Sequence, residues 1–114
     1  MSELQIKLTG LGGLELTDAL VTVAKEKLNA LSHFSDKIKS IELELEHRTT
    51  AKPEDAMKIK AHMSVQGKYR THYDFTAKAS DMYIALDQVV DQFTRKLRRR
   101  KRLINVKRKT TENH

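Results

Sequence analysis

A chain of 114 residues with a formal net charge of +7, no cysteine and a single proline suits one domain whose core folds without disulfides. The missing thiols exclude a disulfide framework, a thiolate zinc site and a cysteine nucleophile. Apolar runs of only a few residues exclude a spanning helix and leave no signal-peptide core, so the expected place is the cytoplasm.

In chain order, Leu4, Ile6 and Leu8 alternate with Glu3, Gln5, Lys7 and Thr9, which predicts a first strand with one face buried. Gly10, Gly12 and Gly13 close it and make the connection flexible. GLGG lacks the Lys-Ser/Thr pair of a P-loop and the full dinucleotide pattern, so it is read as a turn. Thr17 is placed to cap a first helix, with Asp18 in its first turn and Leu16 able to staple onto Val21. Leu20, Val23, Ala24, Leu28 and Leu31 form the apolar stripe of that helix. Lys27 falls within the same arc, and two readings stay open for it: a lysine snorkelling at the stripe's edge, or a ligand contact.

Ile41, Leu43 and Leu45 alternate with Glu42, Glu44 and Glu46, a second strand. Residues 48–55, RTTAKPED, hold the proline and read as a loop. Met57, Ile59, Ala61, Met63 and Val65 alternate with Lys58, Lys60, His62 and Ser64, a third strand. A turn follows at Gln66-Gly67-Lys68. Tyr69, Thr71, Tyr73, Phe75 and Ala77 alternate with Arg70, His72, Asp74, Thr76 and Lys78, a fourth.

The last element begins as ASDMYIALDQVVDQFTRKL and ends in RRRKRLINVKRK. Ser80 or Asp81 is placed to cap it, and Met82, Leu86, Val89, Val90, Phe93 and Leu97 make one stripe. Past Leu97 the stripe dissolves into Arg98, Arg99, Arg100, Lys101 and Arg102, pointing all round the axis. The expectation is a helix packed at its start that projects cations from its end. Residues 95–114 hold ten Lys/Arg and one acid, Glu112, a net of +9, whereas residues 1–94 hold 12 Lys/Arg and 14 Asp/Glu, a net of −2. Most of those ten are Arg, the side chain that forks onto phosphate. The basic segment favours nucleic acid as partner. A membrane is not expected, because few apolar anchors flank the run. The competing reading is a solvated tail.

The predicted order is β-α-β-β-β-α. Its economical packing is an α+β two-layer sandwich: a four-stranded sheet with a parallel first pair, later hairpins and both helices on one face. Residues 1–102 are expected as one domain and 103–114 as a basic, flexible tail. On the open sheet face, a three-residue turn pairs Val65 with Tyr69, Lys60 with Asp74 and His62 with His72. One allowed register across the longer loop pairs Glu44 with Lys58 and Glu42 with Lys60. Opposite charges then meet, and the face carries no net cation. Glu44 and Lys58 are expected exposed, and Leu28, Ile59 and Phe93 buried.

Little catalytic chemistry is visible. His62 and His72, with Asp74 nearest, lack a third clear metal ligand. Asp87 and Asp91 lie one turn apart on a helix surface without pocket partners. Tyr69, Tyr73 and Phe75 fall on the inward face and read as core, not as a stacking platform. No enzyme activity, no cofactor, no metal site and no small-molecule substrate are expected.

A helix, three strands and a basic last helix resemble double-stranded-RNA-binding domains. The added first strand makes a closer likeness. Leu16-Thr17-Asp18-Ala19-Leu20, Lys27-Leu28 with Leu31, Asp36-Lys37-Ile38, and above all residues 81–97 with Asp81-Met82-Tyr83 and Ala85-Leu86-Asp87 carry it. Over roughly residues 4–102 the chain resembles the short-form ribosome hibernation promoting factors, the family that includes ribosome-associated inhibitor A and sigma-54 modulation protein.

That resemblance implies binding to small-subunit rRNA in the channel of mRNA and the A- and P-site tRNAs. It also implies translation blocked in stationary phase or starvation, and a ribosome modulation factor as second partner in forming inactive dimers. Lys27 and Arg95 match usually basic positions, Lys37 is a lesser match, and Arg98, Arg99 and Arg102 complete the expected rRNA-binding set. Val21, Ala30 and Gln92 depart from the basic pattern of relatives, so the helix-borne patch is expected to be thinner and the Arg run to compensate. The basic end, in place of a longer acidic extension, and the absence of a dimerisation domain point to the short promoting factors. The alternatives are a general RNA- or DNA-binding protein without ribosome preference and an adaptor docking an acidic partner.

Overall fold

Alternation of period two builds the sheet. In the computed structural model, which describes residues 4–49, 52–67 and 70–112 and the side chains up to residue 104, four strands lie in the order β1-β2-β3-β4. They are β1 (Gln5–Leu11), β2 (Ile38–His47), β3 (Met57–Val65) and β4 (Thr71–Ala79). The pair β1/β2 is parallel and the other two pairs are antiparallel. Between β1 and β2 the chain forms α1 (Asp18–Asn29) and a 3-10 turn, Ala30–His33; α2 (Met82–Glu112) closes the fold. The α+β architecture with its mixed four-stranded sheet is therefore as expected.

The core is one cluster. Ile41, Leu43, Leu45, Ile59, Ala61 and Met63 turn one sheet face toward Leu20, Ala24 and Leu28 of α1 and Met82, Leu86, Val89, Phe93 and Leu97 of α2, all buried. Both helices thus cover the same side. Each starts on a side-chain cap. Thr17 Oγ1 accepts from the Leu20 amide at 3.2 Å. Of the two candidates for α2 it is Asp81 that serves, its Oδ1 accepting from Tyr83 at 2.7 Å and Ile84 at 3.3 Å. These satisfy amides that the helix itself leaves open.

The registers differ from the expected ones by two residues in both hairpins. Val65 opposes Thr71, Lys60 opposes Thr76, His62 opposes Asp74 and Ser64 opposes His72. Glu44 opposes Lys60, Glu42 opposes His62 and Glu46 opposes Lys58. Tyr69, the expected partner of Val65, lies outside the described residues. A slip of two keeps every side chain on its face, so the core assignment survives while the pairs change. Glu44 and Lys58 are half-buried, not exposed. The open face still balances: Glu42, Glu44, Glu46 and Asp74 are spread among Lys7, Lys58, Lys60 and Lys78.

Strand β1 runs through Gly10, and the turn proper is Gly12-Gly13, with φ of 61° and 78°. The long axis of the molecule, 58 Å, comes from α2. Its 31 residues span about 46 Å, whereas strands of nine residues span about 30 Å. The helical backbone passes residue 103, where the tail was expected to begin, and reaches Glu112.

Candidate nucleic-acid interface

The cations sort into three settings along α2. Nearest the helix start, Lys27 Nζ of α1 binds the Asp87 carboxylate of α2. One turn further, Arg95 Nε lies 3.1 Å from Asp91 Oδ2 within α2. The acids read as plain helix surface are thus the partners of the two cations that the family pattern nominates. Lys27 is neither a snorkelling bystander nor a free ligand: it bridges the helices. This part of the surface is charge-neutral.

The second setting is the flank facing the α1–β2 connection. Arg98 lays its guanidinium over the Phe34 ring, 5.1 Å from the centroid, a cation–π contact that holds the charge in place. Ser32, Phe34, Lys37, Leu97 and Lys101 line a cavity of about 510 Å³ here. Lys37 is held by its backbone: its amide donates to Ser35 Oγ at 3.1 Å and its carbonyl accepts from the Gln66 amide at 2.8 Å. Lys37 and Lys101, far apart in sequence, therefore line one groove, and Arg98 covers the ring of Phe34, which lines it too.

The third setting is the flank facing β4, the sheet's edge strand. Lys96 and Arg99, both exposed, line a groove of about 370 Å³ with Thr71, Tyr73, Leu103 and Ile104. Arg102 is exposed on the outer surface.

Two expectations need correction here. The stripe does not end at Leu97. Arg100 and Ile104, three and seven residues on, are half-buried on the same face, so the five-cation run is not all solvated. Tyr73 packs against the core but is only partly buried, and its remaining surface lines the groove. Lys96, Phe34 and Lys101 were not singled out as site residues. The spacing of Leu97 and Ile104 was the available signal for the continued stripe; nothing local signals that Phe34 meets Arg98.

The histidines of the open sheet face are occupied. His62 Nδ1 lies 2.5 Å from Asp74 Oδ1, and His72 Nδ1 2.9 Å from Ser64 Oγ. Among the described residues no three His, Cys, Asp or Glu side chains gather as metal ligands, and no helix is long and apolar enough to cross a membrane. What the α2 side offers chemically is charge and shape: fixed cations at the rim of two grooves.

A family model described as Sigma 54 modulation protein / S30EA ribosomal protein matches residues 6–105. Two solved structures share the fold. One is a ribosomal subunit interface protein from Coxiella burnetii, with a TM-score of 0.66 and 20% identity, covering 85% of this chain and 97% of that one. The other is the N-terminal domain of Protein Y from Thermus thermophilus, with a TM-score of 0.67 and 24% identity, covering 83% and 97%. None of the curated proteins matches the sequence.

Proposed function

From the premise that the chain belongs to the Sigma 54 modulation protein / S30EA ribosomal protein family, that of the hibernation promoting factors, we propose that it is a ribosome hibernation factor. It binds small-subunit rRNA in the channel of mRNA and tRNA, blocks translation in stationary phase or starvation, and promotes inactive ribosome dimers, with ribosome modulation factor as second partner. Residues 1–102 form the binding domain, and 103–114 extend its basic end.

One observation carries this reading within that family. The exposed cations Lys96, Arg98, Arg99, Lys101 and Arg102 lie together within residues 96–102, in the middle of α2, while the open sheet face is balanced. A polyanion is drawn to one side of the molecule, and Arg held against Phe34 is ordered for phosphate before binding. The mechanism is occupation: the domain fills a site that tRNA and mRNA need and makes no covalent step. Lys37, Arg98, Arg99 and Arg102 are the proposed phosphate contacts. Lys27 and Arg95 reach phosphate by exchanging a carboxylate partner for it.

Sucrose-gradient sedimentation of lysates from growing and starved cells tests the proposal. Co-migration with small subunits or ribosomes at moderate salt, displaced by excess initiator tRNA or mRNA, is the expected result. Binding spread over free RNA supports general nucleic-acid binding, and absence from every RNA-containing fraction supports an adaptor; either outcome ends the ribosome proposal.

A further inference from the structure

Tyr73 sits where a core residue and a binding residue overlap. It lies on the edge strand β4, packed against the core on one side and lining the groove of about 370 Å³ on the other. From α2 the lining is Leu103, 55% exposed, Ile104 and the half-buried Arg100, with the exposed Lys96 and Arg99 beside them. Among the described residues no acidic side chain lines this groove. Among the described residues neither Lys96 nor Arg99 has a carboxylate partner, in contrast to Lys27 and Arg95. On the other flank of α2 the ring of Phe34 is covered by Arg98, and Asp36 is part of the lining. Apolar side chains and an aromatic ring beside cations, with no acid among the described lining residues, make a site for a flat, apolar group that carries a nearby negative charge. A space of this size is at the lower end of small-ligand pockets. An unpaired nucleobase with its phosphate matches all three requirements, because bases stack on aromatic rings whatever their sequence and phosphates follow a cationic rim.

We propose that the groove between β4 and residues 96–104 of α2 is a nucleotide site, in which one unpaired base of an RNA chain stacks on Tyr73 against Leu103 while its phosphate meets Lys96 and Arg99. This rests on the RNA-binding reading and sharpens it: part of the recognition goes to a single-stranded nucleotide, not only to duplex backbone.

The test titrates the full chain with eight-nucleotide single-stranded RNAs, with the same sequence as a duplex, and with uridine and adenosine monophosphates, reading Tyr73 ring signals by NMR and affinity by fluorescence anisotropy. Single strands are expected to shift the Tyr73 signals and bind more tightly than the mononucleotides, which assigns the base to RNA; tighter mononucleotide binding assigns the same site to free nucleotides. Tyr73→Leu should weaken single-strand binding about 5- to 150-fold, the worth of one stacked base, without altering the salt slope. Tyr73→Phe should restore it. Leu103→Gln, at an exposed position that leaves the core intact, should weaken single-strand binding and spare the duplex. Lys96→Gln with Arg99→Gln should flatten the salt slope instead. Unshifted Tyr73 signals, or folded Tyr73→Leu and Leu103→Gln proteins that bind single strands as the wild type does, would overturn the site. Small-subunit binding is measured separately, so a protein that binds single strands through Tyr73 but not the ribosome retains the site and loses the hibernation reading.

Discussion

Lys27 on α1 and Asp87 on α2 stand sixty residues apart in the chain and bind one another across the helix pair. Their side chains are 37% and 60% exposed, so the bridge contributes only about 0.2–1 kcal/mol to stability. Its larger effect is on the surface. With Asp91 matching Arg95 one turn on, two cations of the proposed rRNA-binding set are neutralised in the free protein, and phosphate has to displace a carboxylate to reach them.

Removing those carboxylates should therefore strengthen binding. Asp87→Asn with Asp91→Asn is expected to tighten affinity for purified small subunits roughly 3- to 10-fold at low salt, and to steepen the salt dependence by about 0.7–0.9 per phosphate newly met. Melting should fall slightly or not at all. Fluorescence titration at several salt concentrations measures both quantities. A double variant that binds as the wild type does would show that neither Lys27 nor Arg95 touches phosphate.

Phe93 is fully buried where α2 meets the sheet, in one cluster with Leu28 and Ile59. Phe93→Ala is expected to cost about 3–5 kcal/mol, the transfer loss plus the cavity left behind. Urea unfolding followed by circular dichroism gives the value. A cost below about 1 kcal/mol would contradict this packing of α2, since truncating a core Phe costs several times that.

What is legible in the sequence follows from periods. Alternation assigns faces, so the pattern of β2 and β3 alone puts Ile41, Leu43, Leu45, Ile59, Ala61 and Met63 in the core. It cannot assign register, because a slip by two residues leaves the same pattern. Alternation therefore does not distinguish the pair His62–Asp74 from His62–His72. Helical spacing places Met82 to Leu97 correctly, but the dense cations at 98–102 hide the step from Leu97 to Ile104. Parity puts Tyr73 on the inward face, and parity does not say whether a neighbouring element covers the residue fully. The partner of Lys27 is beyond reach, since nothing local to α1 specifies which residue of α2 comes opposite.

Gly10 illustrates a requirement of space, not of backbone freedom. It lies within β1, and a Cβ there would come within 2.4 Å of the Leu14 carbonyl oxygen, because the Gly12-Gly13 turn folds the chain back upon it. Gly10→Ala is expected to destabilise by about 1–3 kcal/mol, as overpacking does. Thermal unfolding measures it. An unchanged melting temperature would show that the segment around Leu14 moves aside freely.

The cations at 98–102 of α2 supply the most direct test of polyanion binding. Arg98, Arg99 and Arg102 are exposed, whereas Arg100 is half-buried and is better left in place, because its removal would confuse a lost contact with lost packing. If the three exposed arginines neutralise rRNA phosphates, affinity should fall linearly with salt on logarithmic axes, with a slope of about −0.7 to −0.9 for each phosphate met. For roughly five such contacts, tripling the salt costs about 50- to 150-fold in affinity. Changing Arg98, Arg99 and Arg102 together to Ala should flatten the slope by about two to three units. The fold should persist, because the core cluster ends at Leu97 and none of the three is part of it. Circular dichroism checks the fold, and a salt series on purified small subunits gives the slope. A triple variant with the wild-type slope would mean that these cations only face solvent, and binding would then have to rest on Lys37, Lys96 and the pairs at Lys27 and Arg95.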